Sequence, residues 1–227
     1  MPGDPMPDLV VVGDSHTACL HEAALAQGMH SRMLYINGNF WHENRMRPHP
    51  VLGLSAGYRA KLNRQVSAFA AAQGGSVFPQ GVPCLASFGY HLGRLTPPFA
   101  RQGHTPDADH AAADDSRLFV SGAMLDAYIH HHRHALFRVL RLVSRSADLV
   151  VIAPPIIHSD PATNAIAARI TQLLEAHRIR VFDPRREPGL DGPLAPHWTA
   201  ADGVHGNAAY GAEVLRRLQI KGMLRAA

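Results

Sequence analysis

The sequence is poor in the features that mark several protein classes. Only Cys19 and Cys84 occur among its 227 residues. They have no metal-ligand spacing, and two thiols in a chain of this length do not make a disulfide framework, so both read as buried free thiols. No run of about 18 apolar residues exists, so no membrane span is expected. The opening stretch Met1–Asp8 lacks both the basic region and the apolar region of a secretory signal, and the chain reads as cytoplasmic. Charged residues make up 18% and form no block of one sign. The net charge of +4 comes from scattered arginines without the interleaved aromatics that bind single strands. No nucleic-acid partner is expected.

What is present is the composition of a globular protein, with 46% hydrophobic residues and a mean hydropathy of −0.09. The length suits a single domain over 1–227. Histidine is in surplus, with 16 residues. Five apolar, β-branched segments read as buried strands: Leu9–Val12, Met33–Ile36, Val82–Phe88, Asp148–Ala153 and Ile179–Phe182. Helical spacing occupies about 15–28, 55–72, 123–145, 161–177 and 208–218 between and after them. Strands alternating with helices imply right-handed crossovers and a parallel sheet covered on both faces. The expected fold is a doubly wound, flavodoxin-like three-layer α/β/α sandwich. Residues 92–116, rich in Pro, Gly, His and Asp and without periodicity, read as a loop-rich insertion.

Two segments at opposite ends of the chain carry chemistry. In Val10–Thr17, Ser15 falls at a strand-to-helix turn, where a hydroxyl stands at the carboxyl edge of the sheet beside the N–H groups of a helix start. In Asp202–Gly211, Asp202 and His205 are three apart, so one turn of chain can bring the carboxylate to one imidazole nitrogen and leave the other free. A serine hydroxyl is a weak nucleophile near neutral pH. It needs a base within reach and a third group to orient that base.

At these residues the chain resembles the SGNH hydrolase superfamily, the GDSL-like lipases and esterases. The first block of that family matches Gly13-Asp14-Ser15, with His16 where leucine is usual, and the last matches Asp202-Gly203-Val204-His205. The resemblance implies Ser15 as nucleophile, His205 as general base then acid, and Asp202 as the orienting carboxylate. It also implies an oxyanion hole built from the Ser15 N–H, a glycine after strand two, matched by Gly38, and a side chain after strand three. There the sequence reads Ser87-Phe88-Gly89-Tyr90-His91, with His91 where the family has asparagine, so either His91 or Asn39 supplies that donor. No metal or organic cofactor is implied.

Further candidates surround this set. His16 either lines the pocket or fills a packing position. Trp41 and Tyr90 could stack on a sugar ring or belong to the core, and Trp198 is similar. His130 and His134 share a helical face at metal-ligand spacing, but no third ligand is evident and a solvated face is the better reading. The expected activity is hydrolysis of a carboxylic ester through an acyl-enzyme. The substrate is expected to be a small acyl group, such as acetyl, on a carbohydrate or other polar carrier. The same triad would serve an O-acyltransferase, and a non-catalytic binding module is the reading from another class.

Overall fold

In a computed structural model, residues 5–42, 45–157 and 160–224 are described; Met1–Asp4 of the opening stretch read above lie outside them. The strand-forming runs become β1 (Leu9–Gly13), β2 (Ser31–Tyr35), β3 (Pro83–Ala86), β4 (Asp148–Ile152) and β5 (Val181–Phe182). All neighbours pair in parallel, in the order β2-β1-β3-β4-β5, with Val10 opposite both Arg32 and Cys84. This is the doubly wound sheet expected from the sequence.

Residue alternation along each strand sends side chains to two separate cores. Val10, Val12, Ala86 and Val151 face α2 (Ala60–Ala71), α5 (Gly122–Val143) and α6 (Pro161–Ala176). Leu9, Val11, Leu85 and Val150 face α1 (Ala18–Ala26) and α7 (Ala208–Ile220). A sheet buried on both faces explains why β1 is written as an unbroken apolar run. Gly211 lets α7 cross α1 closely, because a Cβ there would come within 2.0 Å of the Cys19 carbonyl oxygen. Cys19 and Cys84 are buried free thiols, as expected.

The segment 92–116, read as a loop-rich insertion, carries more helix than that reading expected. The segment contains α3 (Leu92–Arg101) and α4 (Ala108–Ala113), and His104–Thr105 pairs with Leu118–Phe119 beyond it. Pro97 and Pro98 inside α3 hid it, since an interior proline removes a helix hydrogen bond. Packing outweighs that loss: Leu95 and Phe99, one turn apart, are buried, and the Tyr128 hydroxyl donates to the Leu95 carbonyl at 2.7 Å. The second helix also begins later than its spacing suggested, because Gly53–Ser55 is the return strand of a small antiparallel ribbon with Arg47–His49. Among the described residues, no helix is long and apolar enough to cross a membrane.

The chain leaves β1 toward β2 on one side and returns to β3 on the other. The segments that follow β1 and β3 therefore run on to opposite faces of the sheet, and the carboxyl edge between these two strands is where doubly wound folds bind ligands.

Candidate active site

Ser15 opens a single 3₁₀ turn, Ser15–Thr17, that leads from β1 into α1. Asp14 caps this turn, its carboxylate accepting from the His16 N–H at 3.1 Å. The same carboxylate, 3% exposed, accepts from the Ser87 hydroxyl at 2.8 Å, while the Asp14 N–H donates back to Ser87 Oγ at 3.2 Å. His91 Nδ1 stands 3.4 Å from its other oxygen. Burial pushes the Asp14 carboxyl up, but the hydrogen bonds from His91 and Ser87, the His16 N–H and the His16 charge together outweigh it and hold the pKa at about 2. Asp14 thus ties the β1 and β3 loops together as an anion. Gly13 allows their approach, since a Cβ there would fall 2.2 Å from Ser87 Oγ.

Asp202 and His205 adopt the geometry their spacing suggested. The carboxylate accepts from the Val204 and His205 N–H groups at 2.9 and 3.0 Å, and His205 Nδ1 lies 2.6 Å from Asp202 Oδ2. The His205 hydrogen bond first, and then the two backbone donors, hold the Asp202 carboxyl well below the ordinary carboxylate range. With Nδ1 committed, the ring offers Nε2. His205 lines the same cavity as Ser15, His16 and His91. Its ring lies 4.9 Å, centroid to centroid, from that of His16. Desolvation keeps His16 below the usual histidine pKa, with Asp14 pulling the other way.

The structure thus brings Ser15, His205 and Asp202 to one corner of the fold, with His16 and His91 beside them. The other oxyanion candidates are placed differently. Gly38 lies under the imidazole of His91 and does not line the cavity. Asn39 is exposed, with its side-chain oxygen accepting from Arg94. Trp41 as a sugar platform is corrected: it is fully buried, stacked on Phe88 at 4.5 Å, with its indole N–H donating to the Ile36 carbonyl at 2.9 Å. Tyr90 borders the cavity, but its hydroxyl is 2.7 Å from Thr171 Oγ1 in a buried network. Trp198 packs against Tyr210 on the other side of the sheet.

The histidine run on α5 also reads differently in three dimensions. Among the described residues no cluster of three or more metal-ligating side chains forms. His130 meets Phe137 edge-on and His134 is exposed. The residue that matters in this run is Arg133, which sequence reading passed over. It is fully buried and donates to the carbonyls of Tyr90 at 3.1 Å and His91 at 3.1 Å. Those bonds hold His91 in a left-handed conformation, φ 42°. Burial brings the Arg133 pKa down to about 10. Its signal was available: Leu125, Ile129, Arg133, Leu136 and Leu140 follow one buried helical face, and a charge on that stripe asks for a partner. Ser87 was missed because its link to Asp14 spans 73 positions of the chain.

No family model and no curated protein matches the chain. Solved structures similar to it include the acetylxylan esterase Axe2 from Geobacillus stearothermophilus, 17% identical with a TM-score of 0.49, covering 98% of this chain and 96% of that one. A GDSL-like lipase from Bacteroides thetaiotaomicron is 11% identical with a TM-score of 0.46, covering 96% and 88%. The esterase EstA from Pseudoalteromonas sp. is 12% identical with a TM-score of 0.46, covering 96% and 100%.

Proposed function

We propose that this protein is a serine esterase of the SGNH type. The observation that carries the reading is the His205 Nδ1 to Asp202 Oδ2 distance of 2.6 Å on a ring that shares its cavity with Ser15. Ser15 Oγ attacks the ester carbonyl carbon while His205 Nε2 takes the hydroxyl proton. The carbonyl oxygen becomes an oxyanion beside the Ser15 N–H and the His91 imidazole. His205 then returns the proton to the departing alkoxide, which leaves as the alcohol and forms the acyl-enzyme. Water, deprotonated by His205, adds to the acyl carbon; Ser15 Oγ leaves, recovers its proton and releases the acid. Asp202 stays ionised throughout and stabilises the imidazolium, consistent with its lowered pKa.

Hydrolysis of p-nitrophenyl esters tests this. Wild-type protein turns over, while Ser15→Ala and His205→Ala each lose at least about 10³-fold in kcat with unchanged circular dichroism. Substantial turnover in either folded variant contradicts the triad. Product release that speeds up with added alcohol or sugar acceptors, with ester as a product, would make the protein an acyltransferase on the same residues.

A further inference from the structure

Charge is distributed unevenly through the fold. Residues 44–106 and 127–147 hold 11 of the 22 lysines and arginines and none of the 18 acids, so the remainder carries 11 cations against 18 acids. These stretches supply the antiparallel ribbon, α2 and most of α5, all on one side of the sheet. On the opposite side the cations have partners: Arg216 and Arg217 each reach Glu213 at 2.7 Å, and Lys221 reaches Glu187 at 2.9 Å.

Arg138 and Arg141, near the end of α5, and Arg145, just beyond it, are exposed. With Pro48, Pro50 and Leu142 they line a groove of about 440 Å³ between the helix and the ribbon. Among the described residues no acid lines this groove, and none of the three guanidinium groups has a hydrogen-bond or ion-pair partner. Arg141 also faces a further basic group: burial first, and then the Arg141 and His130 charges, hold His177 below the usual histidine pKa.

The negative end of the α5 dipole accounts for a cation in the last turn, Arg141. It does not account for three around one concavity. Like charges one turn apart repel, and a dense anion seated among them relieves that repulsion. A carboxylate brings one charge to three guanidinium groups. Adjacent phosphates bring several within the roughly 10 Å of axis that seven helical residues span, and they present each arginine fork with a matching edge. No aromatic ring lines the groove on which a nucleic-acid base could stack, and a flat bilayer would reach only its rim.

We infer that the groove between α5 and the ribbon binds a small soluble molecule carrying two or more adjacent phosphates. The groove shares no residue with the Ser15 cavity, and binding there does not depend on the esterase reading.

Titration calorimetry with sodium triphosphate as the probe, at constant ionic strength, tests this. Triphosphate should bind once per chain and at least about tenfold more tightly than orthophosphate or sulfate. Arg138→Gln, Arg141→Gln and Arg145→Gln should each weaken it at least about tenfold, the factor that goes with one charge-assisted hydrogen bond. Arg101→Gln, which takes the same charge from α3, should leave the affinity within about twofold. The ranking of anions is read on wild-type protein and depends on no variant folding. No binding of triphosphate, equal affinity for triphosphate and sulfate, or an equal loss in Arg101→Gln overturns the inference. Tighter binding to a single-stranded oligonucleotide, or to vesicles of phosphatidylcholine and phosphatidylserine, than to triphosphate also overturns it and assigns the groove to nucleic acid or to a membrane surface.

Discussion

Gly38 and His91 are fitted to each other: a Cβ on Gly38 would come within 2.1 Å of His91 Cε1. The imidazole therefore occupies the space over the β2 loop and reaches toward Asp14 and the Ser15 cavity. On the proposed mechanism, His91 rather than Asn39 is the side chain beside the oxyanion. His91→Ala is expected to lower kcat by about 10²-fold, with a smaller change in KM. Asn39→Ala, whose side chain faces Arg94, leaves kcat within about twofold. Steady-state kinetics of the pair check this, and the reverse ranking returns the role to Asn39.

Arg133 does not line the Ser15 cavity, and on the proposed mechanism it acts through His91, whose carbonyl it holds. Arg133→Met leaves the Tyr90 and His91 carbonyls without their buried donors, and urea unfolding should show a loss of about 3 kcal/mol. It should also lower kcat more than it changes KM, because the left-handed backbone at His91 is no longer held. Arg133→Lys should recover only part of both, since one ammonium cannot reproduce the guanidinium fork. Equal kcat in wild type and Arg133→Met would reduce the residue to packing.

The depressed pKa of Asp14 makes stability depend on acid. The folded state holds this carboxyl at about 2, against a usual value of 3.8. Its contribution is fully present above the unfolded pKa and is lost as pH falls through the window between 3.8 and 2. That loss amounts to about 2 kcal/mol. Asp14→Asn should be less stable at neutral pH but should show a correspondingly shallower decline between pH 6 and pH 2. Parallel declines in the two proteins would remove Asp14 from the account.

Burial pushes the thiols of Cys19 and Cys84 up to about 12. Neither should react with an aromatic disulfide reagent in native protein at pH 8, and both should react at once in denaturant. Fast reaction of either thiol in the native state would contradict their placement in the two cores.

What could be read from the sequence was what is encoded locally. Leu9–Val12 announces a strand buried on both faces because every residue is apolar, and Asp202 with His205 announces its pairing because three residues suffice to form it. Ser87, Arg133 and His91 act across 73, 43 and 77 positions of sequence, and no short-range pattern records such contacts. Trp41 misled because an aromatic near a proposed site looks the same whether it faces a ligand or Phe88. The helix over 92–101 was hidden by two prolines whose cost is offset only by tertiary packing.

On the proposed mechanism Ser15 is the activated nucleophile. Peptide mapping by mass spectrometry after treatment with a fluorophosphonate tests it most directly. One adduct is expected, on Ser15, absent in Ser15→Ala and formed much more slowly in His205→Ala. A folded protein that takes no label, or that carries it on another residue, would contradict the account.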